Sequence, residues 1–512
     1  MFKKKKVVWL LITMLVLSFT LAACGGGNGD GGSQSGEKTE LIIAQGADAP
    51  TLDPHGTNDQ PASRISKQIY NTLIFATEEM ELVPALAETW EAIDPLTWEF
   101  KLAEGVKFHN GEEFKASDVK FTFERMLKSE QVAHILGPVK EIEVVDDYKV
   151  RIITSEPFAP LLAHLTHTAA SILNEKAVTD SGADYGQEPV GTGPFKFDNW
   201  KSGDSITLKR FDDYFQGAAA VETVVFRNIP EGTNRTIGLE TGEIDIAYDI
   251  EPVDKSKVED NDKLVLVEGP SFSSQYLGYN TKKAPFDNQK VRQAINYAVD
   301  VQEIIDVVLE GAGEVATSPL TGAIFGANTD IKGYEYNPEK AKELLAEAGY
   351  ADGFETTIWT NDSPVRETIA TIVQAQLKEV GIEARTETVE WSAYLERTSA
   401  GEHDMFILGW TTVTGDADYG LYALYHTSQH GGAGNRTFYS NPRVDELLDI
   451  GKTEPDQEKR KEAYKEAQEI IVEEAPQLFL YFSTDNVGMQ NNIEGFKLHP
   501  AGHHSLYKVS FK

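Results

Sequence analysis

Cysteine is nearly absent: Cys24 is the single one in 512 residues. That excludes an internal disulfide and a thiolate-held metal cluster. Basic residues are outnumbered, 47 Lys and Arg against 81 Asp and Glu, for a formal net charge of −34. A polyanion of this size is repelled by DNA, RNA and anionic lipid surfaces, so nucleic acid is excluded as a partner. The acidity itself reads as a solubility feature. Beyond the first two dozen residues no apolar run approaches the roughly 20 residues that a membrane span needs. Catalytic signatures are missing as well: there is no Gly-x-Ser-x-Gly elbow, no His-Glu-x-x-His pair and no P-loop. There is no internal repeat of fixed period. What remains is a chain of 41% hydrophobic and 25% charged residues, the composition of a globular protein. It is long enough for more than one domain, and it offers no catalytic residue, metal site or cofactor to assign.

What is present begins at the N-terminus. Lys3 to Lys6 form a basic segment, followed by an apolar run from Val7 to Leu21 that is broken only by Thr13, Ser18 and Thr20. This is the layout of a secretory leader. Leu21-Ala-Ala-Cys24 followed by Gly25 resembles the lipobox of bacterial lipoproteins. The resemblance implies that residues 1–23 are removed and that Cys24 is acylated as the first mature residue. Residues 24–40 are rich in Gly and Ser, a flexible coil suited to tethering a folded body to that anchor. The expected location is the cell membrane, anchored by lipid on the extracytoplasmic face.

In the first half of the body, Leu96–Leu102, Tyr148–Ile152 and Ser205–Lys209 alternate apolar and polar residues as half-buried strands do. Between them, Ser117–Leu127 places Val119, Phe123, Met126 and Leu127 on one helical face, with Asp118 in the first turn. From about Phe286 the rhythm changes. Val291, Ile295 and Val299 share a helical face, and Asn337-Pro338 reads as a helix start that Gly349 closes. A strand over Thr356–Thr360, a helix over Pro364–Val380, a strand over Ile382–Val389, a helix over Trp391–Ser399 and a buried strand over Asp404–Leu408 follow. That order predicts an α/β fold with parallel strands and crossover helices. In such sheets ligands bind beyond the carboxyl ends of the strands, which points to Thr360–Ser363 and Gly409–Asp418.

Several segments, in order and spacing, carry a more specific resemblance. They are Thr51-Leu-Asp-Pro54, Leu82-Val-Pro-Ala-Leu-Ala-Glu-Thr-Trp90, Val106-Lys-Phe-His-Asn-Gly111 and Ala116-Ser-Asp-Val-Lys-Phe-Thr-Phe-Glu-Arg125. Val190-Gly-Thr-Gly-Pro-Phe-Lys196, Arg210-Phe-Asp-Asp-Tyr-Phe215, Gly242-Glu-Ile-Asp245, Val291-Arg-Gln-Ala-Ile-Asn-Tyr-Ala298 and Phe438-Tyr-Ser-Asn-Pro442 continue the series. Together they resemble the peptide, nickel and glutathione family (family 5) of solute-binding proteins that serve ABC importers. The resemblance implies a periplasmic-binding-protein-like fold of two lobes. Residues 41–275 would form lobe I with an extra subdomain, 276–479 lobe II, and 480–512 a return to lobe I. It also implies a non-enzymatic monomer that closes on a small peptide or peptide-like solute. The solute passes to a membrane permease served by a cytoplasmic ATPase.

Other motifs read as structural. Gly191-Thr-Gly193-Pro194 opens a strand, not a helix, so it reads as a tight turn and not as a phosphate cradle. His109 reads as a hydrogen-bonded structural histidine. His499, His503 and His504 read as a surface cluster and not as a metal site, for want of a partner carboxylate at helical spacing.

The candidate solute-binding segment is Leu408-Gly-Trp-Thr-Thr-Val-Thr-Gly-Asp-Ala-Asp-Tyr419. Trp410 offers a rigid face, Thr411 and Thr412 offer hydroxyls, and Asp416 offers a carboxylate for a solute ammonium. Peptide-binding members of the resembled family carry an aspartate four residues after the glycine, where this chain has Val413. They also tend to carry an arginine in the loop after the strand that here spans Thr356–Thr360. Here Arg366 is displaced into the start of the following helix. Both departures point away from a free dipeptide, and the Trp-Thr-x-x-Thr-Gly-Asp-Ala-Asp pattern is closer to glutathione-binding members. Two other classes remain open at this level: a surface hydrolase of cell-wall peptides, and a sensor or adhesin that kept a binding fold.

Overall fold

Gly353 and Gly381 stand immediately before two parallel strands, Phe354–Asn361 and Ile382–Val389, with φ of +76° and +90°. A Cβ at Gly353 would sit 1.8 Å from the Gly381 carbonyl oxygen, so only glycine lets both strands start side by side. The helix between them, Pro364–Glu379, starts on a proline that needs no amide partner and has Glu367 in its first turn and Lys378 in its last. It buries Ile369, Ala370, Val373 and Leu377 against the sheet. Full burial of each of the three larger side chains, Ile369, Val373 and Leu377, contributes about 1.5–3 kcal/mol.

The computed structural model describes residues 38–311, 313–431 and 434–512; the leader, Cys24 and nearly all of the expected tether lie outside the described residues. Thr39–Lys512 holds together as one compact unit built on an eleven-stranded sheet. At one end Ile382–Val389, Phe354–Asn361 and Met405–Thr411 run parallel. At the other, Glu40–Gln45 pairs in parallel with both Thr223–Asn228 and Ile246–Ala247, and Ser205–Arg210 and Phe195–Lys201 extend the edge antiparallel. Two long antiparallel strands, Leu264–Tyr279 and Gln477–Gln490, join the ends through the middle. Their register shifts between Pro270 and Ser274 and again between Gln275 and Tyr276. Such bulges bend and twist a ladder locally.

A separate four-stranded sheet, in the order Ala87–Asp94, Thr97–Leu102, Lys149–Thr154, Val139–Asp146, carries the helix Ala116–Met126. That helix buries Val119, Phe123 and Met126, three of the four residues placed on its apolar face by periodicity. The core has three main parts. One packs Leu277, Ile295, Ile358 and Ile407 at the first end of the large sheet. Another packs Leu41, Ile65, Leu208 and Val224 at the second. The third runs from Phe100 and Phe123 through Tyr276 to Trp410 and Tyr419.

The histidines near the C-terminus do not form the surface cluster expected from sequence. His503 is 7% exposed and His504 is 1% exposed. The C-terminal segment folds back along the helix Gln60–Ile69, where Gln68 Nε2 donates to the His504 carbonyl at 2.9 Å and Gln68 Oε1 accepts from the Leu506 amide at 3.0 Å. Burial pushes the His504 imidazole down to about 3. His109 accepts from the Gly191 amide through Nδ1 at 3.3 Å and donates through Nε2 to the Gly193 carbonyl at 3.0 Å, clamping the turn that precedes Phe195–Lys201. A Cβ at Gly193 would come within 2.5 Å of the Gln68 carbonyl oxygen, which explains the glycine.

Candidate solute-binding cleft

The residues just past the carboxyl ends of both parallel strand sets face one cavity. Gly46, Pro230 and Asp249 emerge at one side, and Asn361, Ser363 and Val413 at the other. The bulged middle strands supply the back wall through Ser271, Ser273, Gln275 and Tyr481–Asn486. The cavity volume is about 420 Å³, within the range of roughly 300–1,000 Å³ that holds small molecules.

The structure sorts the sequence-predicted residues into two groups. Trp410, Thr411 and Arg366 line the cavity. Trp410 is 8% exposed and lies 5.2 Å from the Tyr419 ring at a 33° tilt, and its Nε1–H has no partner in the protein. Arg366 donates to Asn361 Oδ1 at 2.9 Å and to Gln275 Oε1 at 3.2 Å, and its guanidinium stands 5.8 Å from the Trp391 ring. Both hydrogen-bond partners are neutral amides. Among the described residues no carboxylate pairs with Arg366, so its charge is available to a solute anion.

Asp416 and Thr412 do not line the cavity. Asp416 caps the helix Ala417–Tyr425, accepting from the Asp418 amide at 3.0 Å, and Arg460 Nη2 donates to both its oxygens at 2.8 and 2.9 Å. Its charge is consumed inside the protein, which corrects the expectation that it meets a solute ammonium. Thr412 is 2% exposed and turns its hydroxyl toward the same helix, where a Cβ on Gly420 would sit 2.5 Å from its Oγ1. It is a packing residue, and this corrects its placement on the cleft wall.

The charged groups that sequence reasoning missed come mostly from the other side. Arg64 pairs with Asp249 through two bonds of 2.8 and 2.9 Å. Against the effect of burial, the Arg64 guanidinium holds the Asp249 carboxyl well below the usual range. Arg235 donates to the carbonyls of Tyr248, Ile229, Pro230 and Asp249. Asp59 accepts from Thr57 Oγ1 at 3.0 Å and from Trp391 Nε1 at 3.2 Å, a contact between segments 332 residues apart; burial pushes its carboxyl up to about 6. Asp485, on a middle strand, is pushed up by burial to about 7. A signal for Asp485 exists in the sequence: Ser483-Thr-Asp-Asn486 interrupts the apolar run Leu478–Phe482, which no core requires.

Residues 81–432 match the family model described as bacterial extracellular solute-binding proteins, family 5 Middle. The chain belongs to that family. It is 34% identical over 476 residues to a glutathione-binding protein of Pectobacterium atrosepticum, covering 90% of this chain and 92% of the relative. It is 32% identical to the dipeptide-binding protein of Escherichia coli K12, covering 92% and 96% of the two chains. The solved structure of an ABC transporter-associated periplasmic binding protein DppA of Helicobacter pylori, in complex with the peptide STSA, superposes with a TM-score of 0.88 at 34% identity. That match covers 93% of this chain and 98% of the other. This family 5 protein therefore has the two-lobe α/β fold and captures a solute outside the cytoplasm for import through an ABC transporter. No helix among the described residues is long and apolar enough to cross a membrane.

Proposed function

We propose that the protein captures a short peptide or peptide-like solute of glutathione size between its lobes and releases it intact to its permease. Arg366 carries the proposal: a guanidinium on the cavity wall, held by two neutral amides, fits a free solute carboxylate. On the same cavity wall Trp410 supplies a flat apolar surface, and Thr411, Ser273 and Gln275 supply polar groups. The names of the glutathione-, dipeptide- and peptide-bound relatives support the same solute class. A cavity of about 420 Å³ supports a short solute over an extended oligopeptide.

The lobes in this reading are residues 41–275 with 480–512, and residues 276–479. Both boundaries fall in the two long middle strands, and the register shift between Gln275 and Tyr276 supports bending there. Lobe closure needs contacts that exist only in the closed form, and the Asp59–Trp391 hydrogen bond is such a contact in this reading. The protein acts without chemistry, as a monomer, held at the membrane by lipid on Cys24. Small-angle scattering with glutathione or a tripeptide should show a smaller radius of gyration, with the solute recovered unchanged. Steady turnover of the peptide by pure protein would instead favour a hydrolase.

A further inference from the structure

We infer that Asp485 is the seat of the solute's ammonium group, so that the solute lies with its amine at the middle strands and its carboxylate at Arg366. The inference rests on the peptide reading above and gives it a direction.

Four observations support it. First, the cavity wall is polarised. The second-lobe side brings Arg366 and Arg436 and no acidic side chain, while the first-lobe side and middle strands bring Asp59, Asp249, Glu251 and Asp485 against Arg64 and Arg235. Second, the cations on the acidic side are already committed. Arg64 gives two donors to Asp249 and one to the Gly502 carbonyl, and Arg235 is spent on backbone carbonyls. Third, Asp485 Oδ2 is buried and has no hydrogen-bond partner in the protein. Gln60 Oε1, on the same cavity wall, is also buried without a partner, and its orientation is fixed because Gln60 Nε2 donates to the Ala501 carbonyl at 3.0 Å. A buried acceptor left alone is costly, and an ammonium brings the donors that such an acceptor lacks. Fourth, the competing anchor is occupied: both oxygens of Asp59 already accept hydrogen bonds. The complement on the far side is the unpartnered Trp410 Nε1–H, a donor suited to the carboxylate end.

Asp485 is also the group able to switch near neutral pH. Burial raises it to about 7, with Asp249 adding to that and Arg64 and the Ser271 hydroxyl opposing it. Of the groups around this end, Asp249 is held low by Arg64, His504 is pushed down to about 3, and the guanidinium groups of Arg64 and Arg235 stay charged. Glu251 is raised by burial, and so is the Tyr248 phenol. An ammonium needs the ionised carboxylate, so its binding weakens as pH falls through 7.

The test is calorimetry with trialanine, N-acetyl-trialanine and trialanine amide on the wild-type protein, Asp485→Asn and Arg366→Gln. Acetylation should weaken wild-type binding by roughly tenfold to a hundredfold. In Asp485→Asn that factor should fall to near one, while the penalty for amidation persists. An unchanged acetylation penalty in Asp485→Asn, or none in the wild type, overturns the inference while leaving the peptide reading standing. If the wild type binds none of the three, and no glutathione, both fall. If Asp485→Asn does not fold, the wild type serves alone, between pH 7.5 and pH 5.5 and after correction for the peptide amine's own titration at about 8: a preference for the ammonium form that shrinks as pH falls supports the role, and a constant preference overturns it.

Discussion

Arg460 Nη2 donates to both carboxylate oxygens of Asp416, at 2.8 and 2.9 Å, with Arg460 only 1% exposed. The pair locks the helix Gln457–Glu474 to the cap of Ala417–Tyr425, three residues beyond Val413 on the cavity wall. Asp416 thus holds the wall in place without touching what the wall binds.

Asp416→Asn should therefore cost stability and not affinity. Removing one partner of a buried ion pair costs about 3–5 kcal/mol. Thermal unfolding should show a large fall in Tm, while calorimetry on the folded fraction should find glutathione or trialanine bound within about twofold of wild type. A loss of affinity at unchanged Tm would return Asp416 to the binding surface.

Arg366→Gln should do the reverse. Its partners, Asn361 and Gln275, are neutral amides that the new side chain can still meet. Tm should hold, and affinity for a solute with a free carboxylate should fall roughly tenfold to a hundredfold, the loss of a charge-assisted bond. The amidated solute should bind both forms alike.

Stability should decline as pH drops below about 6.5, the ordinary pKa of histidine. Burial pushes His55, His403 and His504 down to about 3, and His109, His134 and His499 down to about 4. Below pH 6.5 the unfolded chain binds protons at these six sites that the native protein refuses, so acid favours unfolding. Asp59 and Asp118, raised to about 6, and Asp485, raised to about 7, act in the opposite sense, because there the native state takes up the proton first. Burial also lowers His167, His503 and His426 on the first side and raises Asp416 and Glu251 on the second, so nine histidines outweigh five acids. Denaturant unfolding at pH 7.5 and 5.5 checks the sign: a higher stability at pH 5.5 would mean that the acids dominate.

Cys24→Ala should leave the precursor uncleaved by the lipoprotein-specific peptidase and free of lipid label, because the alanine cannot accept the acyl group. A single acyl chain anchors only marginally, so stable retention needs the multi-chain modification. Fractionation of cells with labelled fatty acid reads the result, and normal labelling of the variant would remove the anchor from this account.

Where the sequence carried one strong period, it located elements closely. Ile382–Val389 and Trp391–Ser399 agree with the observed bounds, since glycine at 381 and the apolar alternation leave little freedom. Pro364–Val380 was one residue long, and Asp404–Leu408 started one residue early and stopped three short. The two long middle strands escaped notice because Ser271, Ser273, Gln275, Ser483, Thr484 and Asp485 interrupt their apolar pattern, and those residues face the cleft. The site was half legible for a related reason. Trp410 and Arg366 sit beside strand ends that periodicity could place. Asp416 looked free because its partner Arg460 lies 44 residues further on. Arg64 meets Asp249, and Asp59 meets Trp391, only through tertiary packing, which no local pattern reports.

Native mass spectrometry of gently purified protein tests the central claim most directly. The account predicts one added mass per chain, equal to an intact short peptide or peptide-like solute with a free carboxylate, and lost on unfolding. A bound solute with no carboxylate, or a population of cleavage products in its place, would contradict it.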